Sequence, residues 1–221
     1  MSTFIYGVLP YIAFTILIGA TIIRYIYGER NWTAKSSEFL DKSGLKFSNH
    51  MFHGGLLLVF VGHVMGILIP RTWTAALGID DHMYHYIALG GGIPAGVLLL
   101  LGYLLLMKRR FFGSDRMKVN TSTMDTLLFI VLFVTILTGC LGTIYNVIAD
   151  YNYRLTIGPW FRSLLALAPD ISLVAGLPVV YQLHMISWMV LAILFPFTRL
   201  VHCLSFPVEY LWRNPIIYRK K

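Results

Sequence analysis

Long stretches of apolar residues without charge dominate the pattern of the chain. Five windows contain no Asp, Glu, Lys or Arg: residues 1–23, 47–70, 82–107, 126–149 and 171–198. An α-helix needs about 20 apolar residues to cross a bilayer, and backbone amides in lipid must be satisfied within the segment. The pattern therefore predicts an all-α integral membrane bundle of five transmembrane helices in a single domain, residues 1–221. The predicted spans cover roughly residues 3–25, 48–70, 83–108, 125–148 and 175–203.

The connection between the fourth and fifth windows, residues 150–170, is also rich in apolar side chains. Arg154, Arg162 and Asp170 interrupt it. We therefore expect this segment to lie at the membrane interface and not to form a sixth span.

Composition agrees with a membrane protein, because 57% of the residues are hydrophobic and only 13% are charged. Soluble domains carry roughly 25% charged residues. The formal net charge of +8 raises the question of nucleic-acid binding, but the placement of the charges excludes it. Fifteen of the 18 Lys and Arg residues fall between the first and second windows, between the third and fourth, or after the fifth. This positive-inside pattern predicts the N-terminus outside and the C-terminus in the cytoplasm, in the cell membrane.

The first window is expected to remain in the mature protein as the first span. It lacks a preceding basic region, and its positive charge follows the apolar stretch, which is the reverse of a secretory leader. The two cysteines, Cys140 and Cys203, are isolated, and the chain has no C-x-x-C-H motif for haem attachment. We interpret them as packing residues.

Histidines carry the candidate chemistry, since six of the seven lie inside the charge-free windows. Ionisable residues at membrane depth are costly and therefore suggest function. His53 and His63 lie ten residues apart on the second predicted span, about 80° apart around a helix. His184 and His202 lie eighteen residues apart on the fifth, which returns to about the same azimuth.

The second and fifth spans run in opposite directions, so their histidines are expected to pair across the helices. His53 is level with His202 on the cytoplasmic side, and His63 is level with His184 toward the outside. Two neutral imidazoles on opposite faces of a haem iron give a low-spin centre suited to electron transfer. The rises of about 15 Å and about 27 Å differ, and a kink at Pro196 is expected to absorb part of the difference.

Other interpretations of the histidines remain at this stage. Single histidines in a membrane bundle are often hydrogen-bonded packing residues. Zn or Cu sites are less favoured, because the pairs lack additional carboxylate or thiolate ligands. His50 is an alternative ligand to His53, but it lies about 140° from His63 around the helix.

His82, His85 and Tyr86 cluster near the outer start of the third predicted span. With Gly62, they are candidates for a quinol pocket beside the outer haem, where the imidazoles would accept protons as quinol is oxidised. The alternative is that they are ordinary interfacial residues in contact with water.

The sequence around these residues resembles the gamma subunit of respiratory membrane-bound nitrate reductase, a cytochrome b. The resembling stretches are Phe52-His53-Gly54-Gly55, Phe60-Val61-Gly62-His63, Gly158-Pro159-Trp160-Phe161-Arg162, Phe195 to His202, and residues 32–37 and 206–211. Some relatives have a lysine near the start of the third helix, where this chain has Tyr86. The likeness to Gram-positive members implies menaquinol as the substrate.

The resemblance implies two b haems, with His63 and His184 on the outer haem iron and His53 and His202 on the inner one. It also implies an iron–sulfur beta subunit and a molybdenum-containing alpha subunit as partners. Quinol would be oxidised near the outer face, and electrons would pass to the cytoplasmic subunits for the reduction of nitrate to nitrite. Arg199, at the cytoplasmic end, is a candidate partner for a haem propionate by its charge and depth.

Three rival functions share parts of this pattern. A related membrane cytochrome b could serve a different cytoplasmic reductase, such as a heterodisulfide- or sulfite-reducing complex. A transporter could use the histidines as a proton relay, although the chain lacks intramembrane carboxylates and inverted repeats. A haem-free anchor would leave four intramembrane histidines without a role.

Overall fold

The computed structural model describes residues 2–28 and 42–204, together with residues 212 and 214. The resembling stretches at 32–37 and 206–211 lie outside the described residues. The described part forms α1 (Phe4–Tyr27), α2 (Leu45–Leu68), α3 (Arg71–Ala76), α4 (Asp81–Phe112), α5 (Asp115–Val119), α6 (Thr123–Ala149), α7 (Ile157–Leu165) and α8 (Val179–Leu194). Short 3₁₀ turns cover Tyr153–Leu155, Ile171–Val174, Phe195–Phe197 and Arg199–Leu204.

Five of these helices are long and apolar enough to cross a membrane: α1, α2, α4, α6 and α8 with its 3₁₀ extension to Phe197. This confirms the prediction of an all-helical chain with five spans. Helix α7 has nine residues, so it reaches only about 14 Å and does not make a sixth span. Large apolar side chains lie exposed around the bundle, among them Ile22, Leu57, Phe60 and Ile130, each more than half exposed. Such an apolar surface suits lipid and not water.

The spanning helices pack in a row in which α2 lies on α4, α4 on α6, α6 on α8, and α8 on α1. Two glycines set the close approach of α2 to α4. A Cβ at Gly55 would lie 2.5 Å from the backbone nitrogen of Leu99, and a Cβ at Gly102 would lie 2.4 Å from that of Phe52. Only residues without side chains allow two helix backbones to come so near.

The bundle has two ends, which differ in what they carry. We call one the α7 end, because α7, the start of α1 and the start of α4 lie there. Trp160 of α7 donates from Nε1 to the Tyr6 carbonyl at 3.0 Å, and Tyr11 donates to the Leu164 carbonyl at 3.0 Å. At the opposite end, which we call the basic end, lie the C-terminus of α4, helix α5 and the N-terminus of α6.

The fifth span differs from its predicted form. The sequence pattern predicted a helix over 175–203, but the α-helix begins at Val179 and ends at Leu194. Pro196 has no N–H to donate and its ring collides with the preceding turn, so the chain continues as a 3₁₀ turn over Phe195–Phe197. Thr198 is then fully extended, with φ −115° and ψ −177°. His184 and His202 therefore do not lie on one continuous helix, and the prediction that they do is wrong.

Candidate haem-ligand pairs and a polar cavity

The four singled-out histidines meet in two pairs across α2 and the fifth span. The ring centroids of His63 and His184 lie 6.0 Å apart with the planes inclined at 35°. Those of His53 and His202 lie 6.1 Å apart with the planes at 81°. The structure therefore brings together the same partners that the antiparallel arrangement predicted, although the fifth span is broken between its two histidines.

In each pair the Nδ1 atoms are oriented by backbone carbonyls. The Nδ1 of His63 lies 2.7 Å from the Val59 carbonyl, and that of His53 lies 2.9 Å from the Asn49 carbonyl. A carbonyl oxygen only accepts, so Nδ1 must be the protonated nitrogen. The lone pair then resides on Nε2, which is the form in which a neutral imidazole binds a metal while its other nitrogen is held by the protein.

The same pattern holds on the fifth span. The Nδ1 of His184 donates to the Thr135 carbonyl at 3.0 Å, and that of His202 donates to the Arg199 carbonyl at 2.6 Å. The hydroxyl of Thr138 lies 3.2 Å from His184 Nδ1. A Cβ at Gly139 would lie 3.0 Å from Cε1 of His184, which is closer than an ordinary contact, so the ring packs tightly against this glycine.

These distances fit an iron atom between each pair of rings. A metal–imidazole bond of about 2 Å on both sides separates opposed ring centroids by roughly 6 Å. Within the described ranges, α2 and α8 do not pack closely along their backbones, and the histidine side chains bridge the space between them. The residues present therefore fit two bis-imidazole haems.

His50, the alternative ligand, is oriented away from these pairs. Its Nδ1 donates to the Lys46 carbonyl at 2.6 Å, but among the described residues its ring meets no other imidazole. His50 thus has the same tautomer as the four paired histidines, but it does not lie opposite another imidazole among the described residues.

Arg199, the candidate propionate partner, lies at the basic end in contact with a carboxylate. Its Nε and Nη2 both lie 2.7 Å from Oδ1 of Asp125. Arg110 donates from Nη2 to the other oxygen of Asp125 at 2.7 Å. Two guanidinium groups thus share one carboxylate, which leaves the cluster with one excess positive charge.

The α7 end contains a polar cavity of about 240 Å³. His82 and His85, two of the candidates for a quinol pocket, line it, and Tyr84 and residues 150–154 form other walls. Tyr86 is 62% exposed and touches His82 edge-on at 4.9 Å between ring centroids, but it does not line the cavity. Gly62 does not line it either, and a Cβ there would meet nothing within 4 Å.

Two residues in this cavity were missed by the sequence interpretation. Arg154 is 3% exposed and Asn146 is 6% exposed. Arg154 stacks over the Tyr84 ring at 3.7 Å and donates from Nη2 to Thr74 at 3.0 Å. Within the described part of the chain, its Nε and Nη1 and the Asn146 Oδ1 have no hydrogen-bond partner. The signal in the sequence was a lone Asn in an apolar window, three residues before the window ends at residue 149.

His85, Asp150 and Tyr153 form a further part of the cavity wall. His85 Nδ1 lies 3.3 Å from Oδ1 of Asp150, whose side chain is largely exposed. Burial is the main cause, and the neighbouring Tyr84 the second, that raises the pKa of Tyr153 above its usual range. Tyr153 therefore stays neutral. The ring of Tyr153 fills the notch at Gly66, where a Cβ would approach within 2.9 Å of it. Gly66 is one turn beyond His63 on α2, so Tyr153 links the cavity wall to the part of α2 that follows His63.

Comparison with known proteins decides the family. The model for the nitrate reductase gamma subunit matches residues 2–221. The chain belongs to the nitrate reductase gamma subunit family. It is 44% identical to the nitrate reductase gamma chain of Bacillus subtilis (strain 168) over 98% of this chain and 97% of that protein. It is 33% identical to the respiratory nitrate reductase 1 gamma chain of Escherichia coli (strain K12), over 100% of this chain and 98% of that protein.

A third relative is much longer. The nitrate reductase-like protein NarX of Mycobacterium tuberculosis (strain CDC 1551 / Oshkosh) is 39% identical over 100% of this chain, which covers 34% of NarX.

Membership of this family makes the chain one subunit of an enzyme complex. The family provides the membrane cytochrome b subunit of nitrate reductase, and the catalytic centre is on another subunit. The family thus implies haem, and the two histidine pairs are the residues of this gamma chain that would hold it.

Proposed function

We propose that this gamma chain binds two b haems and carries electrons from quinol to the soluble subunits of nitrate reductase. His63 and His184 hold one haem iron, and His53 and His202 hold the other. The observation that carries the proposal is the pairing of four imidazoles, with ring centroids 6.0 and 6.1 Å apart and each Nδ1 fixed by a backbone carbonyl. Bis-imidazole haem supplies one-electron redox chemistry without an open site for oxygen.

The α7 end is proposed to face outward and the basic end to face the cytoplasm, across the cytoplasmic membrane. Lys and Arg concentrate at the basic end, which includes Arg109, Arg116 and Lys118. The positive-inside rule places such a surface in the cytoplasm. The His63–His184 pair then belongs to the outer haem and the His53–His202 pair to the inner one.

Quinol is proposed to bind at the outer end, in or beside the polar cavity. Arg154 Nε and Nη1 are donors, and Asn146 Oδ1 is an acceptor, that have no hydrogen-bond partner among the described residues, so a quinol hydroxyl could both accept and donate there. His85 and the exposed carboxylate of Asp150 lie 3.3 Å apart in the cavity wall, a suitable arrangement to receive a proton and release it outward. His82 lines the same wall, and Tyr86 and Gly62 remain candidates for the flanks of the site. Menaquinol is the proposed quinol.

At the basic end, the gamma chain is proposed to dock an iron–sulfur beta subunit, which connects to a molybdenum-containing alpha subunit. Nitrate is reduced to nitrite in the alpha subunit. The inner histidine pair is the nearer one to this surface, and so the arrangement suits electron delivery from the outer end to the basic end.

The test uses the whole complex in membrane vesicles. A reduced menaquinol analogue should reduce the b haems and drive nitrite formation, and His63→Ala should abolish both. Reduced methyl viologen, a soluble dye that can donate directly to the soluble subunits, should still drive nitrite formation in that variant. If His63→Ala retained full quinol-dependent nitrite formation, the proposed electron path would be wrong.

A further inference from the structure

The segment that carries His202 is not an α-helix, so its position needs another explanation. After Leu194 the chain passes through a 3₁₀ turn, the extended Thr198 and a second 3₁₀ turn over Arg199–Leu204. A continuous helix would fix the direction of His202 through its backbone hydrogen bonds. Here that ladder is interrupted, and contacts from other helices must fix the direction instead.

One such contact comes from α1. The Nη1 of Arg24 donates to the Pro196 carbonyl at 2.6 Å and to the Thr198 carbonyl at 3.0 Å. Both carbonyls lie at the break, where the α-helix has already ended. Arg24 therefore fixes the backbone at the break, at positions six and four residues before His202.

The second contact comes from α6 and acts closer to the histidine. Asp125 holds both Nε and Nη2 of Arg199 on one oxygen, at 2.7 Å each. Its other oxygen accepts from Arg110 at 2.7 Å and from the backbone N–H of Ser122 at 3.2 Å. The carboxylate is thus anchored on two further sides and its side chain is only 13% exposed. Charge-assisted contacts of this kind in a partly buried place are strong and directional.

Arg199 passes this constraint to the imidazole through its own backbone. Its carbonyl accepts the Nδ1 proton of His202 at 2.6 Å. That bond sets both the tautomer and the plane of the ring, which stands at 81° to the ring of His53.

We propose that Asp125 is a positioning residue for the His53–His202 pair, acting through the side chain and the carbonyl of Arg199. The proposal rests on the haem-binding role given above. Loss of the Asp125 charge frees the Arg199 side chain, lets the 3₁₀ turn shift, and changes the plane of His202 relative to His53. The His63–His184 pair, held by Val59 and Thr135, does not share these contacts.

The experiment compares three variants of the chain in its complex, by potentiometric optical titration and by EPR of the oxidised haems. Asp125→Asn removes the charge but keeps an oxygen to accept from Ser122, so the start of α6 retains its cap. Asp115→Asn is the matched control at the same end of the bundle, since that carboxylate is 95% exposed and pairs only with Lys118 among the described residues. Arg199→Gln removes the link from its other side.

We expect Asp125→Asn and Arg199→Gln to shift the midpoint potential and the low-spin EPR signal of one haem only. That haem should be the one that His202→Ala removes, and Asp115→Asn should match the wild type. The EPR signal is informative because it depends on the angle between the two imidazole planes, which a general loss of stability does not change.

The inference is overturned if both haems change equally, or if neither changes in Asp125→Asn. Should Asp125→Asn fail to accumulate in the membrane, the EPR signal of Arg199→Gln decides, because that signal reports the angle between the imidazole planes and not only the charge near the haem. A wild-type chain without haem would instead refute the proposed function, so the two failures are distinguishable.

Discussion

Replacement of Gly102 by alanine should separate α2 from α4 and disturb the haem-binding end of α2. The added Cβ would lie 2.4 Å from the nitrogen and 2.7 Å from the Cα of Phe52, both of them backbone atoms. Ordinary contact begins near 3.4 Å, so one helix must move by about 1 Å. No side-chain rotation can relieve the collision, because both partners are backbone.

The expected loss of stability follows from a comparison of two glycines on the same helix, α4. Forcing extra volume into a packed site costs about 1–3 kcal/mol, whereas exchange of Gly for Ala inside a helix gains about 1 kcal/mol in propensity. Gly96 is the matched control, since its Cβ would lie 3.6 Å from Sγ of Cys140, an ordinary contact. The propensity gain is common to both variants. Gly102→Ala should therefore be about 1–3 kcal/mol less stable than Gly96→Ala.

The assay is unfolding of the purified chain in mixed micelles by increasing mole fraction of a denaturing detergent, with haem content measured alongside. Phe52 directly precedes His53, so the displaced backbone also moves one ligand of the inner pair. We expect partial loss of the haem on His53 and His202 in Gly102→Ala and none in Gly96→Ala. Equal stability and equal haem content in the two variants would refute the close contact between α2 and α4.

Three further outcomes are expected. Gly139→Val should halve the haem content, because a side chain at 139 displaces the ring of His184. A pyridine haemochrome assay measures the haem content, and an unchanged content would contradict this prediction. His50→Ala should keep both haems and an unchanged difference spectrum. Arg154→Gln should raise the KM for quinol at least tenfold, because loss of a charged hydrogen bond costs about 1.5–3 kcal/mol. Nitrate reduction driven by reduced methyl viologen should stay the same in this variant. An unaltered KM for quinol would exclude Arg154 from the quinol site.

Sequence reasoning reached the spans and the partners within each histidine pair because both follow from simple rules. Charge-free length defines a span, and antiparallel helices place residues at equal depth. The rule for azimuth failed on the fifth span, since Pro196 did more than kink the helix. It ended the α-helix at Leu194, and Thr198 became extended.

The contacts that fix the site could not be read from the sequence, because they join distant positions. Asp125 meets Arg199 across 74 residues, and Arg24 meets Pro196 across 172. Arg154 was interpreted only as a charge that interrupts a loop. Its burial beside Asn146 depends on how residues 150–154 fold against the start of α4, which no local pattern encodes.

The number of haems per chain decides whether the two histidine pairs bind haem. The chain would be purified from membranes in mild detergent, and haem b per polypeptide would be measured for the wild type, His63→Ala and His202→Ala. We expect two b haems in the wild type, with each variant losing a spectrally different one. A wild type without haem, or a haem content that neither substitution changes, would contradict it and would favour a histidine relay for protons instead.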